Sequence, residues 1–481
     1  MSSSIPPVAT RFIEFINAAP TPFHAVHEAI HRLESHGFKR LPEKESWANI
    51  APGGRYFATR NQSSIIAFAV PKKLDKPTGM SIVGCHTDSP RFIVKPVSNR
   101  EKLGFAEVGV ETYGGGLWAT WMDRDLSIAG RVILSGAAGN SKDQFSTHLL
   151  HHKEPILRMP TVAIHLDRTQ NDNFHYNPET QQVPILALAS SAFNKKVESA
   201  KPDFTGSALD STSYHHPILL HTIASALSKE LGENVAPTQV HDFELSLYDT
   251  QPSTIGGALN EFIFSPRLDN LFSSYAAVEG LIESVKKGGP ADGRVSVIAL
   301  FDNEEVGSVS AYGAESNFIE ACIQRIAVAL KEESASESEA YQQALAASFL
   351  LSCDMGHSIH PSFPEKHEEN HRPIMNAGPA IKTNRKQRYA STSHTTFLLR
   401  RVAQLANVPL QEYEVRNDMA CGSTIGPLVS KIGLRTVDIG CPQLSMHSIR
   451  ETAGTKDLDY LTKLFESFFE NFGTVDTLDT D

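Results

Sequence analysis

Residues 294–305 read RVSVIALFDNEE. Arg294 to Phe301 is a short, nearly continuous apolar run rich in β-branched residues, and it breaks at once into Asp302-Asn303-Glu304-Glu305. A run of this length and composition reads as a strand buried on both faces, the kind that occurs in sheets covered by helices. Working outward, the neighbouring stretches alternate: a helix near Asn270 to Lys287, a helix Asn317 to Lys331, a strand Ala346 to Ser352, a helix Ser393 to Asn407 and a strand Leu434 to Ile439. Upstream lie strand-like runs Ser64 to Val70 and Ser81 to Cys85. Before them is a capped amphipathic helix, Thr21 to Gly37, with Phe23, Val26, Ile30 and Leu33 as its apolar stripe. The expected fold class is α/β, a mixed sheet covered by helices.

From about Arg91 to Thr250 the texture changes to short β-like stretches such as Gly130 to Ser135 and Pro160 to Leu166. A polar stretch, Val197 to Ser213, and one helix, His215 to Leu231 closing at Gly232, complete it. The expected organisation is a catalytic domain in two parts, 1–91 and 251–481, with a β-rich inserted domain, 92–250. Lys331 to Gln343, containing EESASESE, reads as an acidic surface segment, and the tail after Gly473 reads as frayed.

The 481 residues suffice for about three average domains or two larger lobes, and 41% hydrophobic with 21% charged residues is a globular composition. A net charge of −11 opposes a general polyanion binder, so nucleic acid is not an expected partner. The longest apolar runs, such as Ile65 to Val70, fall far short of the ~20 residues that span a bilayer, so no membrane role is expected either. Five cysteines without a CxxC suit a reducing compartment. The N-terminal MSSSIPPVAT lacks a basic and an apolar region, and Glu14, Glu28 and Glu34 are unlike a mitochondrial presequence, so a cytoplasmic location is expected.

In sheets of this kind function gathers beyond the carboxyl ends of the strands. The polar residues that stand there are His86-Thr87-Asp88, Asp269-Asn270, Asp302 to Glu305, Asp354, and Met446-His447. Two histidines and several carboxylates converging on one sheet edge suit a pair of borderline divalent cations, most often zinc. In His86-x-Asp88 the two side chains of an extended segment face one side, so Asp88 can orient the His86 ring. The adjacent Glu304 and Glu305 suit a division of labour between one ligand and one general base.

Together, GCHTDSPR (Gly84 to Arg91), FIFSPRLDNL (Phe262 to Leu271), FDNEEVGS (Phe301 to Ser308), SCDMGHSIHPSFPEKHEENHRP (Ser352 to Pro373) and QLSMHSIRE (Gln443 to Glu451) resemble the aspartyl aminopeptidases of the M18 metallopeptidase family. The likeness extends over nearly the whole chain, including TPFHAV near the start and TYGGGLWATWMDRDL (Thr112 to Leu126). The resemblance implies a zinc-peptidase-like catalytic domain with an inserted dimerisation domain, two Zn2+ per subunit, and removal of Asp or Glu from peptide N-termini. It also implies that His86 and Asp354 hold one zinc, Glu305 and His447 the other, and that Asp269 bridges them. Glu304 corresponds to the general base and Asp88 to the carboxylate supporting His86. Assembly is implied to be a homo-oligomer, a tetrahedral dodecamer built from dimers, in which His165 reaches a neighbour's active site; a satisfied histidine at a strand end is the alternative. Delivery of a cytoplasmic protein to a vacuole is a further possibility of location.

Selectivity for acidic substrates needs a cation in a place of low dielectric. Of Lys382, Arg385, Lys386 and Arg388, only Lys382 follows an apolar approach, Pro379-Ala380-Ile381, and it matches the lysine the family turns toward the substrate's carboxylate. The histidine-rich stretch with His357, His360, His367 and His371 is rich in Pro, Glu and Lys, and reads as a pocket-wall loop rather than a metal cluster. Likewise His24, His27 and His31 read as a polar helix face rather than a ligand face. Asn417, Asp418 and the loop Cys421 to Thr424 are expected to shape the pocket without an assigned role. The rival functions are a dizinc hydrolase for neutral residues or a carboxypeptidase, and an inactive assembly protein on the same fold.

Overall fold

The computed structural model describes residues 5–75, 77–136, 145–188, 211–290 and 293–476. The chain divides into two compact units, one of Met1–Ser89, Ser253–Met446 and Arg450–Asp481, the other of Pro90–Pro252 with His447–Ile449.

The first unit is α/β, built on a nine-stranded mixed sheet. Four strands at its centre, Val295–Phe301, Met80–His86, Phe349–Cys353 and Arg435–Gly440, run parallel. Toward one end Ser64–Ala69 and Arg55–Arg60 pair antiparallel; toward the other Ala380–Lys382 runs antiparallel to Arg435–Gly440. Every residue of Met80–His86 and Val295–Phe301 is buried, the pattern of strands covered on both faces. Alternate side chains go to opposite sides: Val83, Ile298 and Leu351 join one core, Ile82, Val297 and Leu350 the other. Helices Pro7–Ala18, Pro22–Glu34, Leu268–Lys286, Ser393–Ala406 and Thr455–Val475 cover the first face, and Phe318–Leu330, Glu337–Ala346 and Ile425–Ser430 the second. The register sets Phe301 beside His86 and Ser352 beside Gly84, so the residues that follow these strands leave the sheet side by side.

Local chemistry explains several of these elements. Pro22–Glu34 starts where the Thr21 hydroxyl accepts the His24 N–H and Pro22 takes the first helical position. Leu268–Lys286 is buried along nearly its whole length, but Asp269 and Asn270 have non-helical backbone angles, and the peptide between them is cis. A smaller five-stranded sheet, ordered Thr254–Gly256, Phe262–Ser265, Glu451–Gly454, Pro442–Leu444 and Gly356–His357, stands before that break in the helix.

The second unit is a six-stranded antiparallel sheet in the order Phe145–His151, Leu126–Ser135, Val240–Asp249, Arg91–Lys102, Phe105–Tyr113 and Ile185–Leu188. Helix Pro217–Leu231 shares a core with it through Leu219, Leu220, Ile223 and Leu227. Gly232 ends that helix at φ 70°, a left-handed position that costs glycine little.

Two expectations differ from what is found, those for Pro160 to Leu166 and for the tail after Gly473, while the acidic segment is at the surface as expected and gains a helix. Pro160 to Leu166 is a loop and turn rather than a strand, with Val162, Ile164 and Leu166 exposed; among the described residues no strand pairs with it. Part of the acidic segment is helical, Glu337–Ala346, because Ser336 caps it, Glu337 and Glu339 sit at the favourable end of the helix dipole, and Ala344 and Leu345 are buried. Helix Thr455–Val475 continues past Gly473 because Phe472 and Val475 are buried; residues 477–481 lie outside the described residues. The polar stretch from Val197 lies outside them as far as residue 210.

Candidate metal centre

His86 is the last residue of its strand and is 1% exposed. Its Nδ1 lies 3.0 Å from the Asp88 backbone carbonyl and 3.4 Å from Asp88 Oδ1. Both are acceptors, so Nδ1 carries a proton, and Nε2 is the nitrogen at which a metal ion can take a proton's place. That Nε2 faces oxygens of Asp269 at 3.4 Å, Asp354 at 3.6 Å and Glu304 at 4.0 Å. Burial lowers the pKa of His86, but the carboxylates of Asp269, Asp354 and Asp88 outweigh it and raise it well above its ordinary value. An imidazole amid buried carboxylates is an arrangement that demands positive charge, which a proton or a metal ion can supply.

His86, Asp269 and Asp354 each offer a ligand atom, all within 4.8 Å of one another, and His86, Glu304 and Glu305 form a second such group. One nitrogen and several carboxylate oxygens at this spacing fit zinc. Glu304 and Glu305 belong to a single turn, Glu304–Val306, entered through Asn303 at φ 64°. The two oxygens of Asp88 accept the backbone N–H groups of that pair, Glu304 at 3.1 Å and Glu305 at 3.2 Å. Asp88 therefore supports the glutamate turn as well as the imidazole. Burial, opposed by the charge of His86 and reinforced by Asp354, Asp88 and Asp269, pushes Glu304 up to about 8.

Asp269 stands where the helix ladder is broken, and side chains take over its backbone groups: its N–H goes to Glu451 Oε2 at 3.1 Å, and its C=O accepts the Ser89 hydroxyl at 2.5 Å. The next residue, Asn270, donates through Nδ2 to the carbonyl of Cys353 at 2.8 Å, beside Asp354. Gly440 faces Asp354 from the neighbouring strand; a Cβ there would collide with the Asp354 carbonyl and come within 2.9 Å of Lys382 Cε. Sequence reasoning left Ser89, Gly440 and Glu451 without roles, although each lies in or beside a motif it quoted.

Lys382 is 3% exposed. Its ammonium donates to the Met355 carbonyl at 2.7 Å, stands 3.8 Å from Asp354 Oδ2 and lies over the Tyr389 ring at 5.5 Å. Gly356, His357, Tyr413, Gly440 and Pro442 line a small pocket with it. By contrast, Arg388 donates to the Cys421 carbonyl, and Arg385 and Lys386 are exposed.

His447 belongs to the second unit, where its Nδ1 lies 2.8 Å from the Gly115 carbonyl and its own carbonyl accepts the Leu117 N–H. Nδ1 is therefore the protonated nitrogen and Nε2 the one with the lone pair. His165 sits in an exposed turn of the same unit. Asp418 pairs with the Arg416 guanidinium through both oxygens on the surface. In the histidine-rich loop, His367 accepts the His360 N–H and His371 pairs with Glu368. Among the described residues no group close enough to hold a metal includes a histidine of that loop. His24 is buried against Thr21, while His27 and His31 meet at the surface with their rings tilted 60° to each other. All five cysteines are free, and among the described residues no helix is long and apolar enough to cross a membrane.

Residues 15–469 match the model of the family described as aminopeptidase I zinc metalloprotease (M18). The aspartyl aminopeptidase of Aspergillus oryzae is 47% identical over 490 residues, covering 96% of each chain. Among solved structures, a cryo-EM structure of the Ape4 and Nbr1 complex aligns with TM-score 0.91 at 44% identity, covering 98% of this chain and 87% of that one. The S. cerevisiae mApe1 dodecamer aligns with TM-score 0.80 at 28% identity, covering 98% of both.

Proposed function

The chain belongs to the M18 family of zinc metallo-aminopeptidases, and on that premise we propose that it removes single acidic residues, Asp or Glu, from peptide N-termini at a site holding two zinc ions. The observation that carries this reading is the cluster of His86, Asp269 and Asp354, whose ligand atoms lie within 4.8 Å of one another at the end of buried parallel strands. His86 and Asp354 would hold one ion, Glu305 and His447 the other, with Asp269 between them. The proton on Nδ1 of both histidines supports ligation through Nε2. Zinc bound there supplies Lewis acidity toward the scissile carbonyl and lowers the pKa of water.

The chain's own residues then divide the work. Glu304 takes a proton from the attacking water and returns it to the leaving amine; a desolvated carboxylate, more basic than an exposed one, suits both steps. Asp88 keeps Glu304 and the His86 ring in register. The carboxylates of the site anchor the substrate's α-amine, and Lys382, a buried cation beside a small pocket, receives the acidic side chain. In a dodecamer like that of the mApe1 relative, the second unit would make the dimer contact and His165 would help a neighbour's site stabilise the oxyanion. The exposed Val162, Ile164 and Leu166 around His165 support a covered surface there. Free cysteines support a reducing, cytoplasmic setting. Metal analysis combined with peptides bearing N-terminal Asp, Ala or Leu tests the proposal: two zincs per subunit and preference for Asp support it, while preference for Leu, or release from the C-terminus, overturns it.

A further inference from the structure

Two polar residues of the sequence motifs take no part in the chemistry above, Ser89 of GCHTDSPR and Glu451 of QLSMHSIRE. Both are buried, 5% and 2% exposed, and they come from segments about 360 residues apart. They meet on one residue. The Ser89 hydroxyl donates to the Asp269 carbonyl at 2.5 Å, and Glu451 Oε2 accepts the Asp269 N–H at 3.1 Å.

The need for them follows from the local backbone. Arg267 is left-handed at φ 58°, and Asp269 (φ −83°, ψ 104°) and Asn270 (φ −124°, ψ 26°) are not helical. At such a break the helix ladder does not fix the main chain, yet buried N–H and C=O groups require partners. A carboxylate meant to meet two cations must be held to within a fraction of an ångström, and a loosely held backbone does not achieve that. Glu451 is itself held. It lies opposite Ser265 in the pairing of Phe262–Ser265 with Glu451–Gly454, and its Oε1 lies 3.5 Å from Gln443 Nε2.

We infer that Ser89 and Glu451 are positioning residues for Asp269: they clamp its backbone N–H and C=O from opposite sides, and so fix the carboxylate where two metal ions share it. This rests on the proposed dizinc reading. The small five-stranded sheet thereby acquires a function, that of carrying Glu451 to the metal centre.

The test measures zinc affinity by competition with a chromophoric chelator, alongside the absorption spectrum of the cobalt(II)-substituted protein and the melting temperature of the metal-free protein. Glu451→Ala is expected to weaken zinc binding about 10- to 100-fold, the usual effect of removing a partner of a metal ligand, and to alter the cobalt bands. Glu451→Gln keeps an oxygen acceptor and is expected to recover most of that affinity. Ser89→Ala, a smaller change that keeps the test alive if Glu451→Ala does not fold, is expected to weaken binding several-fold. Wild-type affinity and spectrum in Glu451→Ala, or in Ser89→Ala where the former is insoluble, overturns the inference. So does a drop in melting temperature with unchanged affinity, which is what a merely structural role produces. Asp269→Asn separates the two readings: if it still binds two zincs tightly, Asp269 is not the shared ligand and the proposed ligand set falls; if it loses them while the clamp variants do not, only the clamp falls.

Discussion

The backbone N–H of Glu304 is held at 3.1 Å by the carboxylate of Asp88, whose other oxygen holds the N–H of the next residue. Asp88→Asn leaves one acceptor for two donors. The expected loss is about 1.5–3 kcal/mol, typical of hydrogen bonds to a charged group, or roughly ten- to hundredfold in kcat/KM. Zinc content locates the effect: loss of turnover with metal retained points to Glu304, loss of both to Glu305. Wild-type kinetics would remove Asp88 from the machinery.

Glu304→Gln preserves size and removes the proton acceptor. Turnover should fall by about 10²–10⁴, the range for general base catalysis, with two zincs still bound. A variant with near-normal kcat would refute Glu304 as the base.

Lys382→Met keeps the stem and removes the ammonium. It should reduce cleavage of N-terminal Asp and Glu about ten- to hundredfold, the kinetic equivalent of one charge-assisted hydrogen bond, and that of Ala far less. Equal losses on both substrates would mean that Lys382 acts through its neighbour Asp354, 3.8 Å away, rather than through the substrate.

His215 is buried against Phe243 with its Nδ1 2.8 Å from Ser98 Oγ, and burial lowers its pKa to about 4, against 6.5 for the free side chain. The folded protein therefore binds fewer protons than the unfolded chain between these values. Its stabilising contribution is complete above pH 6.5 and disappears as pH falls toward 4, about 3 kcal/mol in all by linkage. Chemical denaturation of metal-free protein should show a shallower acid loss for His215→Gln; an unchanged slope would contradict the burial argument.

Mixing the inactive Glu304→Gln protein with an inactive His165→Ala protein should restore part of the activity if His165 completes a neighbour's site. Proven subunit exchange without recovery would confine His165 to its own subunit.

Much of this was readable in the sequence because buried parallel strands are short apolar runs, and the polar residues at their ends are conspicuous: His86 closes its strand, Asp354 follows Cys353, and the Glu304-Glu305 pair stands within four residues of Phe301. Ser89 and Glu451 were not readable, since a serine and a glutamate acquire meaning only when the broken helix at Asp269 is known. The strands Gly356–His357 and Pro442–Leu444 are too short for any periodicity to register. Pro160 to Leu166 misled in the other direction: its alternating apolar residues imitate a strand, but pairing requires a neighbour that alternation cannot report.

The discontinuity of the first unit bears on how the chain is made. Met80–His86 finds its partner Val295–Phe301 only after about 200 further residues have been synthesised, roughly 10–40 s at ~5–20 residues per second on the ribosome. During that interval an apolar strand has no sheet to join, whereas most of the second unit is contiguous in sequence and can condense early. Nascent chains arrested before Val295 should therefore be the ones that chaperones retain, and if zinc is held by His447 as proposed, a residue that follows the last strand of the sheet, Arg435–Gly440, its acquisition would serve the cell as a late signal that synthesis of the sheet is complete.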